Sequence, residues 1–216
     1  MKLTKAITAH AAAAAVLIGL SIPASAADVT LRYSNWLPIN YFLNKEVMRP
    51  WFDEIERVTE GRVVVEATPK VVGTVPGQYD VVADGLADIG FVLPGYTPGR
   101  FPMAEGFELP FLGDDATTRC PAVWNAYEQF VKPTGTFSEV VVLGLYCTNA
   151  GQIAMANLVV TSVDDLKGMK IRTPAPAVTK ALELLGAIPV SKPASEIYEL
   201  ASGGVIDGAI IPLDSM

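Results

Sequence analysis

Histidine is nearly missing from this sequence: His10 is the only one in 216 residues. Cysteine is scarce too, with Cys120 and Cys147 alone. Two sulfurs and one histidine fall short of the four ligands a structural zinc takes. A P-loop, a GxGxxG after a strand, a GxSxG and a CxxC are all absent, so the usual motifs for nucleotide phosphates and for activated serine or thiol are missing. Positive charge is in deficit, with 16 Lys and Arg against 23 Asp and Glu. Such a chain lacks the cations that displace counterions from a phosphate backbone, which argues against nucleic acid as a partner. The adjacent acids Asp53/Glu54, Asp114/Asp115 and Asp164/Asp165 read as solvated surface or helix-capping charge rather than acid/base couples. No enzyme class, cofactor or metal is indicated.

Long apolar runs are confined to the N-terminus. Lys2 and Lys5 precede a run from Ala11 to Ile22, and Ala24-Ser25-Ala26 supplies small residues for a peptidase. Together they make a removable secretory signal, cut after Ala26. A membrane anchor needs roughly 20 apolar residues, and Ser21 and Pro23 cut this run short. Removal takes His10 and two lysines, leaving 14 cations against 23 acids, 14 − 23 = −9. In an oxidising compartment the two cysteines form a disulfide or simply pack in the core, and no spacing motif decides between them.

Strand-like and helix-like segments then alternate, which predicts α/β architecture. Strands are expected at 29–35, 62–68, 88–93, 140–146, 153–155, 170–173, 188–190 and 208–211. Helices are expected at 41–59, 78–84, 117–132, 176–185 and 194–201. Pro50 should kink or restart the first helix, and Gly61 should stop it. Residues 94–110, rich in proline and glycine, read as loop. A capped turn is expected at Ser162–Leu166. A second α/β set begins near residue 150, dividing the chain into 27–150 and 151–216.

Arg172 stands at the end of a short strand closed by Pro174. Alternation places Met169 and Ile171 on one side of that strand, Lys170 and Arg172 on the other. A guanidinium there could grip a carboxylate through two parallel hydrogen bonds, or could pair with one of the many surface acids. Spacing alone leaves both open.

The stretch DDLKGMKIRTP, followed by ALELLGAIPVSKPASEIYELASGGVIDGA, resembles the DctP-like solute-binding proteins of TRAP transporters. Upstream, YSNWLP, VTEGRVVVE and DGLADIGFVLPGYTPGRFPMAEGFELPF are similar to the same family in the same order. The resemblance implies a two-lobed, type II periplasmic binding fold of α/β class, with an organic acid held in the cleft by Arg172. It implies a receptor that hands its ligand to the membrane subunits of an ion-driven TRAP permease from the periplasm. A sensor protein using the same cleft and a periplasmic hydrolase are the alternatives; a neighbouring permease or sensor-kinase gene would separate transport from signalling.

In that cleft Trp36 could stack on the ligand or pack at the hinge beside Pro38, and Tyr96 could donate a hydroxyl hydrogen bond. Gln152 is a further contact, Asn149, Ile211 and Tyr146 are candidate wall residues, and Asn35 and Gln78 are weaker candidates. Glu196 and Tyr198 read as structural support. Ile211 stands where relatives often carry asparagine, and Gln152 where some carry a second arginine. Both departures point to a less polar monocarboxylate, aromatic or branched. Family members run well past 300 residues and this chain stops at Met216, so the resemblance implies a shortened chain. Its second lobe would be incomplete and would expose an apolar face and an unpaired edge, favouring instability or aggregation.

Overall fold

A computed structural model describes residues 27–215. Residues 1–26, where the sequence leads one to expect the export signal and which include His10, and Met216 lie outside the described residues. Among the described residues no helix is long and apolar enough to cross a membrane.

The first half is built on a three-stranded parallel sheet. Strand β1 (Val29–Ser34) is central, with β2 (Val63–Ala67) on one side and β3 (Ile89–Gly90) on the other. Helix α1 (Arg49–Val58) links β1 to β2, and α2 (Gln78–Ala83) links β2 to β3. The expected Pro50 effect is seen: a π-helical turn at Leu43–Met48 gives way to α1, with Pro50 in its first turn, where a proline lacks the N–H that would continue the preceding ladder. Phe52 on α1 meets Tyr33 edge-on at 5.3 Å, and Gly61, at φ +77°, turns the chain into β2.

Two expectations fail here. The strand foreseen at 88–93 contains only Ile89 and Gly90. The carbonyl of Phe91 accepts the Trp36 indole N–H at 2.9 Å instead of extending the ladder. The strand foreseen at 140–146 does not form. Val140 packs against the cluster of Tyr79, Phe101 and Ala104, while Val141 and Leu143 are exposed. A β-branched run becomes a strand only where another strand pairs with it, and none does so among the described residues. The stretch from 94 to 110 holds more order than a loop: 3-10 turns at Pro94–Tyr96 and Gly106–Glu108 flank a one-turn helix α3 (Pro102–Glu105). Helix α4 (Ala116–Ala126) follows, extended by irregular turns to Thr134. It is tied to the 140–150 segment by a Cys120–Cys147 disulfide, which resolves the alternative left open by spacing.

The second half is a four-stranded mixed sheet in the order β4 (Gly151–Met155), β7 (Gly208–Pro212), β5 (Lys170–Thr173), β6 (Ile188–Ser191). Only β4 runs antiparallel. The turn at Val163–Leu166 has the capping box expected of Ser162 and Asp165. Helix α5 (Pro176–Leu184) connects β5 to β6, and α6 (Ile197–Ser202) connects β6 to β7. Ile171, fully buried, packs with Leu166, Leu182 and Ala187, joined by Met155 and Ile210. Burying a side chain of that size stabilises by about 1.5–3 kcal/mol.

Both sheets change direction beside their central strand. Chain order runs outward from β1 to β2 and then to β3 on the other side; it does the same from β5 to β6 and then β7. In open α/β sheets the crevice for a ligand lies beyond the carboxyl ends of strands at such a switch point. That rule directs attention to residues following Ser34 and Gly90, to Arg172–Thr173, and to Ile210–Pro212.

Candidate ligand-binding site

Arg172 lies at this crevice and is 2% exposed. Met155, Ile171 and Ile210 turn to the core of the second sheet, so strand alternation sends Arg172 to the opposite face. Its Nε donates to the Lys192 carbonyl at 2.7 Å, and Nη1 donates to the Ile210 carbonyl at 2.9 Å. Nη2 donates to the Tyr96 hydroxyl at 3.1 Å. A guanidinium has five N–H donors; these three bonds leave one N–H on each terminal nitrogen. Glu196 lies near enough to favour the charge slightly, but it pairs with Lys192 at 3.3 Å. Among the described residues no carboxylate reaches salt-bridge distance of Arg172. Burial pushes the Arg172 pKa below its usual value, opposed by Tyr96 and Glu196, yet arginine does not lose its proton in proteins. A buried cation without a counter-ion is costly, and an anion with two acceptor oxygens would remove that cost.

Tyr96 reaches across from the first half. Its hydroxyl accepts from Arg172 and also from the Ala194 N–H at 2.9 Å. Trp36 stacks on Phe91 with ring centres 5.7 Å apart, and stands 6.3 Å from Tyr96. Phe91 meets Tyr146 at 5.9 Å, and Tyr146 meets Phe42 at 6.4 Å. The result is a row of aromatic rings beyond the ends of β1 and β3. Asn35 shapes the loop carrying Trp36: its Oδ1 accepts from the Leu37 N–H and from Asn44. Gln78 is buried and holds the 72–74 loop through the Val72 and Thr74 carbonyls. Both are framework.

Gln152 and Ile211 lie directly opposite one another across the β4–β7 ladder. Arg172 is in register with Ala209, so Arg172, Ala209, Ile211 and Gln152 share one face of the sheet. Gln152 is exposed, and its side chain donates to the Ala150 carbonyl. Asn149 is placed differently: its Oδ1 accepts from Ala116 at the start of α4. Tyr198 stands in solvent and Glu196 borders the hollow described next. Phe91 and Phe42 escaped the sequence reading, although Phe91 directly follows the ADIG motif.

A hollow of about 290 Å³ opens between Gly95, Tyr96 and Pro98 on one side and Thr173–Ala175, Ser191–Pro193 and Glu196 on the other. This is near the lower end of ligand pockets, about 300–1,000 Å³; Arg172 does not line it but donates to Tyr96, which does. A larger groove, about 570 Å³, runs between α1 and Val140–Leu143. Its lining is mainly apolar, includes Asp88 and Glu139 and contains no cation, so it offers an anion nothing.

Several solved structures are similar to this chain. A TRAP periplasmic solute-binding protein from Bordetella bronchiseptica, with bound (R)- and (S)-mandelate, is 39% identical with a TM-score of 0.79; the match covers 85% of this chain and 58% of that one. A marine metagenome TRAP solute-binding protein specific for aromatic acid ligands, with 3-hydroxybenzoate, is 34% identical at a TM-score of 0.82, covering 88% and 60%. Among curated proteins, the outer membrane transporter protein TsaT of Comamonas testosteroni is 27% identical over 91% of this chain and 58% of its own length. The chain thus spans about 60% of the length of these relatives. Residues 35–216 match the DctP family, described as bacterial extracellular solute-binding protein, family 7. With two switch-point crevices facing each other across a buried arginine, and a match over nearly all of its described length, the chain belongs to the bacterial extracellular solute-binding proteins, family 7.

Proposed function

We propose that this chain is the ligand-capturing part of a TRAP transport receptor, taking up a small aromatic monocarboxylate and passing it on chemically unchanged. The observation that carries this reading is the buried Arg172 with one free N–H on each terminal nitrogen and no carboxylate beside it. A ligand carboxylate accepts both in a bidentate pair. The row Tyr96, Trp36, Phe91 and Tyr146 offers ring faces to an aromatic body. Gln152 and Ile211 supply no second cation and so favour a single carboxylate. Mandelate and 3-hydroxybenzoate in the two similar structures are of this class.

The receptor reading carries further proposals with it. Residues 1–26 direct export to the periplasm, the recipients are the TRAP permease membrane subunits, and the protein is a carrier rather than an enzyme. Tyr96 bridges the two halves, so capture is accompanied by their closure around the ligand, as in hinged binding proteins.

Calorimetric titration of the purified chain with mandelate, 3-hydroxybenzoate, succinate and galacturonate tests the assignment. The two aromatic acids are expected to bind at least tenfold more tightly than the others. Trp36→Ala is expected to cut aromatic affinity about 3- to 10-fold, the range of a lost ring contact, and to leave weak aliphatic binding unchanged. Tight galacturonate binding with none of the aromatic acids would overturn the ligand class.

A further inference from the structure

Glu108 ends the 3-10 turn that follows α3, in the stretch ELPF. Its Oε2 is buried and has no hydrogen-bond partner. The carboxyl rests on Gly95: a Cβ there would stand 2.6 Å from Glu108 Oε2 and 3.0 Å from Oε1. The same Cβ would stand 3.0 Å from the Cβ of Ala175, at the start of α5. Glu108, Gly95 and Ala175 therefore meet at one point, where the first half abuts the second. The glycine is required for this approach, because any side chain would push the carboxyl or Ala175 away.

We propose that closing this seam places a proton on Glu108, so that ligand capture and proton uptake are linked. The inference rests on the receptor reading above. Its physical basis is that an ionised carboxylate sealed against Gly95 and Ala175 loses water and gains no cation. From α3 the facing charge is Glu105, which repels it. From the Pro94–Tyr96 turn comes the Gly95 N–H; the Tyr96 hydroxyl is instead engaged by Arg172 and Ala194. From α5 comes Ala175, which is apolar. Arg100 is bound to Asp80 and Lys192 to Glu196, and no ion pair reaches Glu108 among the described residues. With Ala175 seated against Gly95, burial raises the Glu108 pKa to about 7; the Gly95 N–H works against the rise and Glu105 adds to it. When the halves part, Ala175 withdraws, water returns, and the group reverts toward the ordinary value of about 4.3.

Between these two values the closed form holds a proton that the open form releases. Affinity should then fall as pH rises through this window and level off above pH 7. Mandelate and 3-hydroxybenzoate binding is expected to be at least fivefold tighter at pH 5.5 than at pH 8.0. Calorimetry of the unmodified chain at pH 6.5, in two buffers of different ionisation enthalpy, should show uptake of about half a proton or more per ligand. Glu108→Gln should bind at pH 8.0 as tightly as the unmodified chain does at pH 5.5, and should take up no proton. Binding without proton uptake, or the same pH dependence in Glu108→Gln, overturns the proposal and leaves the receptor reading intact. If neither acid binds at either pH to chain that circular dichroism shows to be folded, the receptor reading falls and the linkage falls with it. The two-buffer measurement needs no variant, so a folding defect in Glu108→Gln does not blunt the test.

Discussion

Arg172→Ala is expected to weaken binding of an aromatic acid by more than about 30-fold, the lower end of the 2–5 kcal/mol lost when one partner of a buried charged pair is truncated. The loss has two sources. The ligand carboxylate forfeits its bidentate partner, and the Lys192 and Ile210 carbonyls lose the donors that now satisfy them. The second source also lowers stability, so Arg172→Lys is the sharper companion. Lysine keeps the charge but not the fork, and is expected to fold yet bind about tenfold less tightly than arginine. Calorimetric titration reads both variants, with circular dichroism reporting the fold. A loss under tenfold in a folded Arg172→Ala protein would remove the clamp from Arg172.

Breaking the Cys120–Cys147 disulfide is expected to cost about 3.5 kcal/mol, from the loop-entropy relation for a cross-link spanning 27 residues. For a domain of this size each kcal/mol moves the melting temperature about 2–4 °C, so Cys120→Ser/Cys147→Ser should melt roughly 7–14 °C lower. The bond joins α4 to a stretch with no strand ladder of its own. Other links also hold that stretch: Arg119 donates to the Thr148 carbonyl, Asn149 accepts from Ala116, and Tyr146 meets Phe91 and Phe42. Reductant should reproduce the shift in the unmodified chain and leave the double variant unchanged. A shift below about 2 °C under either treatment would mean that the loop is held by other contacts.

Much of this structure was legible from neighbouring residues. Alternation around Ile171 and Arg172 placed one in the core and the other on the opposite face, because a strand's pleat is local and strict. Pro50 marked the restart of α1 for an equally local reason. Val140–Tyr146 misled, since the same β-branched residues are satisfied either by a ladder or by packing on Phe101, and only distant chain decides. The disulfide was undecidable because the facing of Cys120 and Cys147 depends on how α4 lies. For the candidate site, the arginine was legible through its motif. The ring row was less so: Trp36, Phe91 and Tyr146 come from three separated segments. Gln152 and Ile211 could each be singled out, but their direct opposition is a matter of register. Glu108 carried no signal, as its burial follows from Gly95 lacking a side chain and from Ala175 approaching from the other half.

The hydroxyl of Tyr96 is a single oxygen on which a side chain and a backbone N–H of the second half both converge. Bonds that end on separate atoms can be given up in succession, each step costing little. These two share an endpoint, so moving that oxygen by an ångström lengthens both together. Separation at this point is therefore cooperative, like a latch with one tongue and two keepers: it is engaged or released, with no half-held position between.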